Sequence, residues 1–422
     1  MDQKLLKLSN NLKLLSTHLS SVQSITVLIL VRAGSRYEDK KTNGIAHFAE
    51  HMFFKGTKKR PTALEISSLI DGIGGEFNAF TSKEYTGYYI KASAKHIDLL
   101  LDVLSDMIIH SKFDPVEVNR ERGVIFEELR MYLDTPIRYI GDVFENLLYG
   151  DQPLGWDIVG TIDSLKNITQ KDFFTFTNKF YSPENMLVNI AGGINFQTAQ
   201  KISDKYLGKL KNKKPASYLP VKFSQNKPAV KLVSKKTEQA HFCLGVRAYP
   251  RNHENHYILA VLNALLGTSM SSRLFIQLRE RRGLAYYVRS TFDEYHDAGF
   301  FVVQAGVETK NIDKAIQVTL EEFEKISHEP VGEEELKKAK ENIKGKIVLG
   351  LEDSREIAAL FGAQLLLEGK VRSLPEMFKN IDAVTSGDIQ KVAKDIFVNE
   401  KLNLAIIGPY KDEAKFEKIL KL

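Results

Sequence analysis

The chain has 422 residues, which is too long for one ordinary domain and predicts two domains of about 200 residues each. Its composition, 43% hydrophobic and 27% charged, is that of a globular protein with a sizeable core, and the apolar stretch from Ile25 to Val31 is far too short to span a bilayer. A net charge of +6 spread among many acids argues against nucleic-acid binding, and the single cysteine, Cys243, excludes both an intramolecular disulfide and a cysteine-based zinc site. Because the opening residues contain no secretory signal, we expect a cytoplasmic protein that does not associate with membranes.

In chain order, the first part of the sequence contains both strand-like and helix-like segments. Strands are predicted over residues 12–17, 24–33, 76–81 and 85–92, and helices over residues 43–56, 62–72, 96–110 and 114–134. The first of these helices takes Asn43 as its N-cap, whereas the next takes Thr62, which forms a capping box with Glu65. Together these elements predict an α+β domain.

A helix followed by a strand occurs twice in the chain. Residues 169–192 and residues 385–408 share the pattern, each opening on a threonine with an aspartate three positions later, at an offset of 216 residues. We therefore predict two tandem homologous domains, each an antiparallel sheet packed with helices, over residues 1–212 and 213–422. The linker between them is predicted within residues 209–228, where lysines and prolines cluster.

One short segment of the first domain combines residues that can bind a metal and activate water. His47 and His51 lie one turn apart on the predicted helix and share a face, with Glu50 beside them. Two neutral imidazoles at this spacing can bind one Zn²⁺, and the neighbouring carboxylate can take a proton from water held there. This order, H-x-x-E-H, is typical of the inverzincin metallopeptidases. At the same offset in the second domain, residues 263–267 contain no metal ligand.

A zinc hydrolase uses three protein ligands and leaves one position open, so a third ligand is required. The predicted helix over residues 114–134 offers Glu121, Glu127 and Glu128. Glu121 and Glu128 are seven positions apart and share one helix face, whereas Glu127 points about 100° away. If Glu128 binds the metal, Glu121 lies on the same side and can orient a ligand. The alternative is that all three are ordinary solvated glutamates.

Residues 47–57, HFAEHMFFKGT, and residues 121–128, ERGVIFEE, resemble the pitrilysin, insulin-degrading enzyme and mitochondrial processing peptidase family. The resemblance extends over nearly the whole chain, including the duplicated domain. It favours the last residue of the second segment as the third metal ligand. It also implies a clam-shell assembly, since the short members of this family pair two such chains around a chamber.

The same resemblance implies roles for individual residues. His47, His51 and Glu128 would bind one zinc ion per chain. Glu50 would be the general base, and Glu121 would support the metal site without binding the ion.

Residues 75–81, GEFNAFT, resemble the substrate strand of the family, an exposed sheet edge on which an extended peptide pairs as an added strand. The resemblance implies that Phe77, Asn78 and Ala79 contact the peptide. Without it, the segment can also be an internal strand that follows a Gly-Gly turn.

In the second domain, residues 271–286 resemble the arginine–tyrosine segment of the family. The resemblance implies that Arg279 and Tyr286 contact the substrate and support the developing oxyanion, for which a cation and a phenol are suitable donors. Without it, Arg279 is a surface arginine and Tyr286 a half-buried aromatic residue.

The sequence thus predicts a zinc-dependent endopeptidase that hydrolyses unfolded peptides or leader sequences by zinc-activated water. Because one chain carries both the zinc motif and the arginine–tyrosine pair, we expect a homodimer, with a non-identical partner chain as the alternative. The competing interpretation of function is a catalytically inactive core or partner subunit of a processing-peptidase-like assembly.

Overall fold

The computed structural model describes residues 2–422, and their contacts divide the chain into two units. The first unit contains the chain up to Arg130, together with Trp156–Leu219 and Leu349–Val371. The second contains Met131–Gly155, Pro220–Val348 and Arg372–Leu422. The passage between Leu219 and Pro220 lies within the predicted linker. The two units differ from the predicted ranges 1–212 and 213–422 in that each also contains a short segment from the other half of the chain.

Residues 2–422 form eleven strands and fifteen α-helices. The strands, β1–β11, are Asp2–Lys7, Lys13–His18, Ser24–Val31, Glu76–Thr81, Thr86–Ser93, Met186–Gly192, Ala229–Ser234, Gln239–Arg247, Ala285–Glu294, Gly299–Glu308 and Leu402–Gly408. The helices, α1–α15, are Ile45–Phe53, Ala63–Asp71, Ile97–His110, Pro115–Leu133, Pro136–Tyr149, Ile162–Asn167, Gln170–Phe180, Phe196–Leu207, His256–Gly267, Ile312–His328, Glu333–Gly350, Ser354–Ala363, Leu374–Ala383, Ser386–Ile396 and Ala414–Ile419. None of these helices in the described chain is long and apolar enough to cross a membrane.

The sheet of the first unit has six strands in the order β1-β2-β6-β3-β5-β4. Its neighbours are antiparallel except for β2 and β6, which are parallel. The central strand β3 is buried along almost its whole length, as its apolar sequence ITVLILV requires. Strand β4 lies at one edge, where its outer hydrogen-bonding groups have no neighbouring strand of the sheet. Strand β1 was not predicted, because it has no buried residue and so lacks the alternating pattern of a strand with one face in the core.

The sheet of the second unit has five strands in the order β7-β11-β8-β10-β9. It too contains one parallel pair, β7 with β11, among antiparallel neighbours. Strands β6 and β11 are the predicted repeated strands, and the helices that precede them, α7 and α14, both open on a capping box. The α+β class and the duplication are therefore confirmed, with one parallel strand pair in each sheet that the sequence did not predict.

Helix α12, from the second half of the chain, covers β3 and β6 within the first unit. The buried hydroxyls of Ser354 and Thr26 are 2.8 Å apart, and the Asn189 amide donates to the Ala358 carbonyl at 2.6 Å. A Cβ atom at Gly362 would lie 2.8 Å from the Leu30 side chain and 2.9 Å from the Asn189 amide, so the glycine eases this close approach of the helix to the sheet. In the second unit α5, from the first half of the chain, packs on β8 and β11.

The N-terminus of α1 is capped by a carboxylate from outside the helix. The N-cap is Gly44, with φ +93°, rather than the predicted Asn43. Glu38 accepts hydrogen bonds from the Gly44 and Ala46 N–H groups at 2.7 and 2.8 Å, and from the Asn43 amide at 2.9 Å. Burial raises the pKa of Glu38 to about 8, although these three donors act in the opposite direction. Glu38 therefore satisfies the free N–H groups of the helix that carries the H-x-x-E-H motif.

We expect Glu38→Ala to lower the free energy of unfolding by about 2–4 kcal/mol, because two buried backbone N–H groups lose their acceptor. Glu38→Gln, which keeps one acceptor oxygen, should have a smaller effect. Urea unfolding at pH 7, followed by circular dichroism, measures both changes. Asp39→Ala is the control, since this adjacent carboxylate also accepts from two backbone N–H groups, those of Lys41 and Thr42, but in an exposed turn where water can replace it. An equal loss of stability in Glu38→Ala and Asp39→Ala would contradict the capping role.

Candidate active site

The H-x-x-E-H motif lies on α1, and the core fixes the orientation of its side chains. Ile45, Ala46, Phe48, Ala49, Met52 and Phe53 are all buried in the core of the first unit. With these positions directed inward, His47 and His51 lie together on the remaining face, where their ring centroids are 4.7 Å apart. The predicted pairing of the two histidines is therefore present.

Glu128 on α4 completes a group of three potential metal ligands. Its Oε2 lies 3.7 Å from His47 Nε2 and 3.6 Å from His51 Nε2. Zinc with bonds of about 2.1 Å separates tetrahedral ligand atoms by about 3.4 Å, close to the two distances from Glu128, and all three ligand atoms lie within 4.8 Å of one another. Within residues 2–422, this is the one cluster of at least three His, Cys, Asp or Glu ligand atoms close enough to share an ion. The residues present therefore fit zinc.

Glu127 takes no part in this group. Its side chain is 70% exposed and pairs with Arg130 on the same helix. Glu127 and Glu128 therefore leave the helix in different directions in the structure, as their neighbouring positions in the sequence predict.

Glu121 supports His51 from the side opposite Glu128. Its Oε1 lies 2.9 Å from His51 Nδ1, and its Oε2 lies 2.6 Å from Lys55 Nζ. Burial alone would raise the pKa of Glu121, but the hydrogen bonds from His51 and Lys55 outweigh burial and hold it below its usual value. The ionised carboxylate accepts the Nδ1 proton of His51, which leaves the Nε2 lone pair free for a metal.

The two histidines differ in their electrostatic surroundings. Burial, assisted by the neighbouring His51, lowers the pKa of His47 to about 3, so His47 is neutral and can bind a metal at ordinary pH. Burial also disfavours the charged form of His51, but the hydrogen bond to Glu121 and the charge of Glu128 raise its pKa overall. His47 Nδ1 is buried and has no hydrogen-bond partner in the described chain. Of the two histidines, it is therefore His51 whose ring is oriented by a hydrogen bond to another side chain, that of Glu121.

Glu50 lies beside the ligand group and is fixed by the substrate-strand candidate β4. The Thr81 hydroxyl donates a 2.6 Å hydrogen bond to Glu50 Oε2. Burial raises the pKa of Glu50, although the hydrogen bond from Thr81 and the nearby His51 lower it. A raised carboxyl pKa brings this group closer to neutral pH, where it can both accept and return a proton.

Phe77, Asn78 and Ala79 lie on β4, at the edge of the sheet. The Phe77 ring contacts Phe54 at the end of α1, with centroids 5.7 Å apart. The Ala79 N–H donates to the side chain of Asn78 at 2.8 Å, which marks this N–H as pointing away from β5. The edge position excludes the alternative that this segment is an internal strand.

Arg279 and Tyr286 belong to the second unit and are not part of the ligand group. Arg279 lies in the π-helical segment Phe275–Glu280, with its guanidinium 5.0 Å from the centre of the Phe275 ring. Tyr286 is the second residue of β9, and its side chain is exposed rather than half-buried.

Comparison with known proteins identifies the family. Residues 13–161 match the family described as insulinase, peptidase family M16, and residues 167–343 match the one described as peptidase M16 inactive domain. The uncharacterized zinc protease YmxG of Bacillus subtilis is 36% identical over 404 residues, 95% of this chain and 97% of the relative. The chain belongs to peptidase family M16.

Other M16 relatives agree in sequence and structure. An uncharacterized zinc protease of Rickettsia felis is 33% identical, covering 96% of this chain and 97% of the relative. The crystal structure of a protease from Helicobacter pylori superposes with a TM-score of 0.89 and 28% identity, covering 97% of this chain and 99% of that one. A peptidase M16 inactive domain from Pseudomonas fluorescens, at 17% identity and a TM-score of 0.90, shares the fold.

Two residues of this M16 chain contact the site but were given no role from the sequence. Lys55 lies four positions after His51, and this helical spacing could have indicated that Lys55 lies on the same side as the two histidines of the motif. Thr81 shares one face of β4 with Phe77 and Ala79, but its contact with Glu50 depends on how the strand lies against α1.

We expect Lys55→Met to raise the dissociation constant for zinc about tenfold, because Glu121 loses the ammonium that fixes its second oxygen and so orients His51 less firmly. Competition of the metal-free protein with a zinc-binding dye measures this change. Lys55→Arg should restore most of the affinity, and Lys58→Met, at an exposed neighbouring lysine, should leave it unchanged. If Lys55 acts through Glu121, the Lys55→Met and Glu121→Gln effects will not add in the double variant. Fully additive effects would contradict this role.

Proposed function

We propose that this M16 chain is a zinc-dependent endopeptidase that hydrolyses extended, unfolded peptides or leader sequences. The observation that carries the proposal is the convergence of His47, His51 and Glu128 beside the partly buried carboxylate of Glu50. Three ligands that leave one coordination position open, with a general base next to them, are what a hydrolytic zinc site requires.

Zinc, when bound, supplies a Lewis acid that acidifies water and polarises the peptide carbonyl. Glu50 removes a proton from the attacking water and later returns it to the leaving amine. Thr81 keeps the Glu50 carboxylate directed toward the ligand group through its 2.6 Å hydrogen bond. Glu121 fixes the tautomer and the ring orientation of His51.

The substrate is held as an additional strand on β4. An incoming peptide carbonyl replaces the Asn78 side chain as acceptor for the Ala79 N–H, and further backbone hydrogen bonds form along the edge. Only an extended segment can form this ladder, which limits the substrates to unfolded peptides or flexible leader sequences.

We assign Arg279 and Tyr286 to stabilisation of the oxyanion that forms when water attacks. We expect Tyr286→Phe and Arg279→Ala each to lower kcat by about 10–100-fold with little change in KM, because such donors act mainly in the transition state. Arg282→Ala, at an exposed arginine nearby, is the control. Steady-state kinetics on one cleaved peptide measure the two parameters, and a rise in KM at constant kcat would instead indicate a role in substrate binding.

The second candidate function is that of a catalytically inactive partner subunit, favoured by the match of residues 167–343 to an inactive-domain family. The intact ligand group and Glu50 favour the peptidase. We further propose a homodimer, in which one chain supplies both the zinc site and the arginine–tyrosine pair. Sedimentation of the purified chain tests this assembly, and activity that requires a second, different chain would contradict it.

Metal analysis combined with cleavage of a quenched peptide library tests the function directly. One zinc per chain, together with cleavage that stops on chelation and returns with zinc, is the expected result. Bound zinc without cleavage would favour the inactive-subunit candidate. The absence of zinc from protein purified without chelator and then exposed to zinc would contradict both the ligand assignment and the peptidase.

A further inference from the structure

We propose that a pocket between β4 and α12 selects the substrate side chain that lies beside Asn78 and Phe80, and that it takes a large uncharged side chain, aromatic above all. This inference rests on the proposed function, because it requires a peptide docked on β4. It adds a position at which the substrate is selected, on the face of the sheet opposite the zinc ligands.

The two faces of β4 are distinguished by their contacts. Thr81 bonds Glu50, and Phe77 contacts Phe54, so these residues and Ala79 between them face α1. Because side chains alternate along a strand, Asn78 and Phe80 face the other side of the sheet. There, a Cβ atom on Gly87 would lie 2.3 Å from the Phe80 ring, which shows that the ring lies over Gly87 of the neighbouring strand.

A docked peptide must follow the same alternation. Every second side chain of a strand paired with β4 projects onto the face of Asn78 and Phe80, with its Cβ about 4.5–5.5 Å from that of its neighbour on β4. The intervening side chains project onto the face of α1 and the zinc ligands. Side chains on the two faces are therefore selected by different parts of the protein.

A pocket of about 280 Å³ opens at this place, and all of its lining belongs to the first unit. Asn78 and the neighbouring Ala79, whose side chain faces the other way, line it at the sheet edge. Its walls are Leu28, Phe80, Tyr89, Arg355, Glu356 and Ala359, of which the last three come from α12. The volume is large enough for an aromatic side chain, and the floor offers apolar and aromatic surface to it.

The charges in the pocket are matched within the protein. Two guanidinium nitrogens of Arg355 donate to Glu356 Oε1, at 2.8 and 3.2 Å. Arg355 also lies 5.9 Å from the centre of the Tyr89 ring. Nearby, Lys91 pairs with Asp353 at 3.0 Å. A charged substrate side chain would compete with a partner that is already paired, whereas an aromatic ring can stack on the planar guanidinium and leave the pair intact.

The test compares the cleavage preferences of wild type and pocket variants on a peptide library in which each position is varied in turn. At one position, wild type should cleave Phe, Tyr or Leu at least about tenfold faster than Lys or Asp. Ala359→Phe, which fills the pocket, should abolish this preference. Ala363→Phe, one turn further along α12 and outside the pocket lining, should retain it.

Two charge variants give a sharper test, because each should change the preference rather than remove it. Arg355→Met leaves Glu356 unmatched, so cleavage of peptides with Lys or Arg at that position should rise about tenfold relative to wild type. Glu356→Gln leaves Arg355 unmatched and should favour Asp or Glu there. Unchanged preferences in all three pocket variants, with cleavage intact, would overturn the pocket while leaving the peptidase in place.

Binding of the same peptides to Glu50→Gln separates the pocket from catalysis. If wild type cleaves nothing but Glu50→Gln binds peptides with the aromatic preference, and Ala359→Phe in that background loses it, the pocket is supported and hydrolysis is not. If the chain neither cleaves nor binds any peptide, the proposed function and the pocket are both overturned.

Discussion

Glu50→Gln should lower the rate of peptide hydrolysis about a thousandfold while the protein still binds zinc. The amide is nearly the same size as the carboxylate and can accept the Thr81 hydrogen bond through its oxygen, but it cannot take a proton from water. Because Glu50 is not among the three proposed metal ligands, we expect the ion to remain bound. Metal content and kcat/KM, measured on the same preparation, give both quantities.

Glu65→Gln, at an exposed glutamate of α2, serves as the control for this experiment. It should retain full activity, since Glu65 lies at the N-terminus of its helix and has no contact with the site. Hydrolysis that persists in Glu50→Gln would show that another group removes the proton. Loss of zinc together with activity would show that Glu50 contributes to metal binding.

Glu128→Gln should weaken zinc binding at least 100-fold, because a neutral amide is a much poorer zinc ligand than a carboxylate. The neighbouring position provides a matched control with the same chemical change. Glu127→Gln should change zinc affinity less than twofold, as this side chain is largely exposed and pairs with Arg130. Calorimetric titration of the metal-free proteins compares the two variants.

The two glutamate variants also test the choice of Glu128 over Glu127 as the third ligand, which the family resemblance favoured. A large effect of Glu127→Gln on zinc affinity, with a small effect of Glu128→Gln, would show that Glu127 rather than Glu128 is the third ligand. Equal, small effects on zinc affinity would show that neither of these two glutamates binds the metal.

What the sequence predicted correctly depends on contacts that are local or periodic. The pairing of His47 with His51 follows from one helical turn, and the separation of Glu128 from Glu127 follows from helix phase. Thr62 is likewise the N-cap of α2, with its hydroxyl accepting from the Glu65 N–H at 3.3 Å. The full capping box is not formed, because Glu65 Oε1 accepts from the Thr62 hydroxyl rather than from the Thr62 N–H.

What the sequence did not predict depends on contacts between distant segments. Asn43 was chosen as N-cap on local preference, but the carboxylate that caps α1 comes from Glu38, in a turn whose path no periodic pattern indicates. The bond between Thr81 and Glu50 joins a strand to a helix 31 residues away in sequence. The apolar stripe of α12 predicts a buried face but does not indicate which of the two sheets it covers.

The position of α12 in the chain affects the order in which the protein can be completed during synthesis. The sheet of the first unit is fully encoded by residue 192, yet the helix that covers β3 and β6 ends at Ala363. While the intervening segments are being translated, the apolar surface of those central strands lacks its native cover. We therefore expect the nascent first half of the chain to expose this apolar surface, and to be more prone to aggregation, until most of the second half has been made.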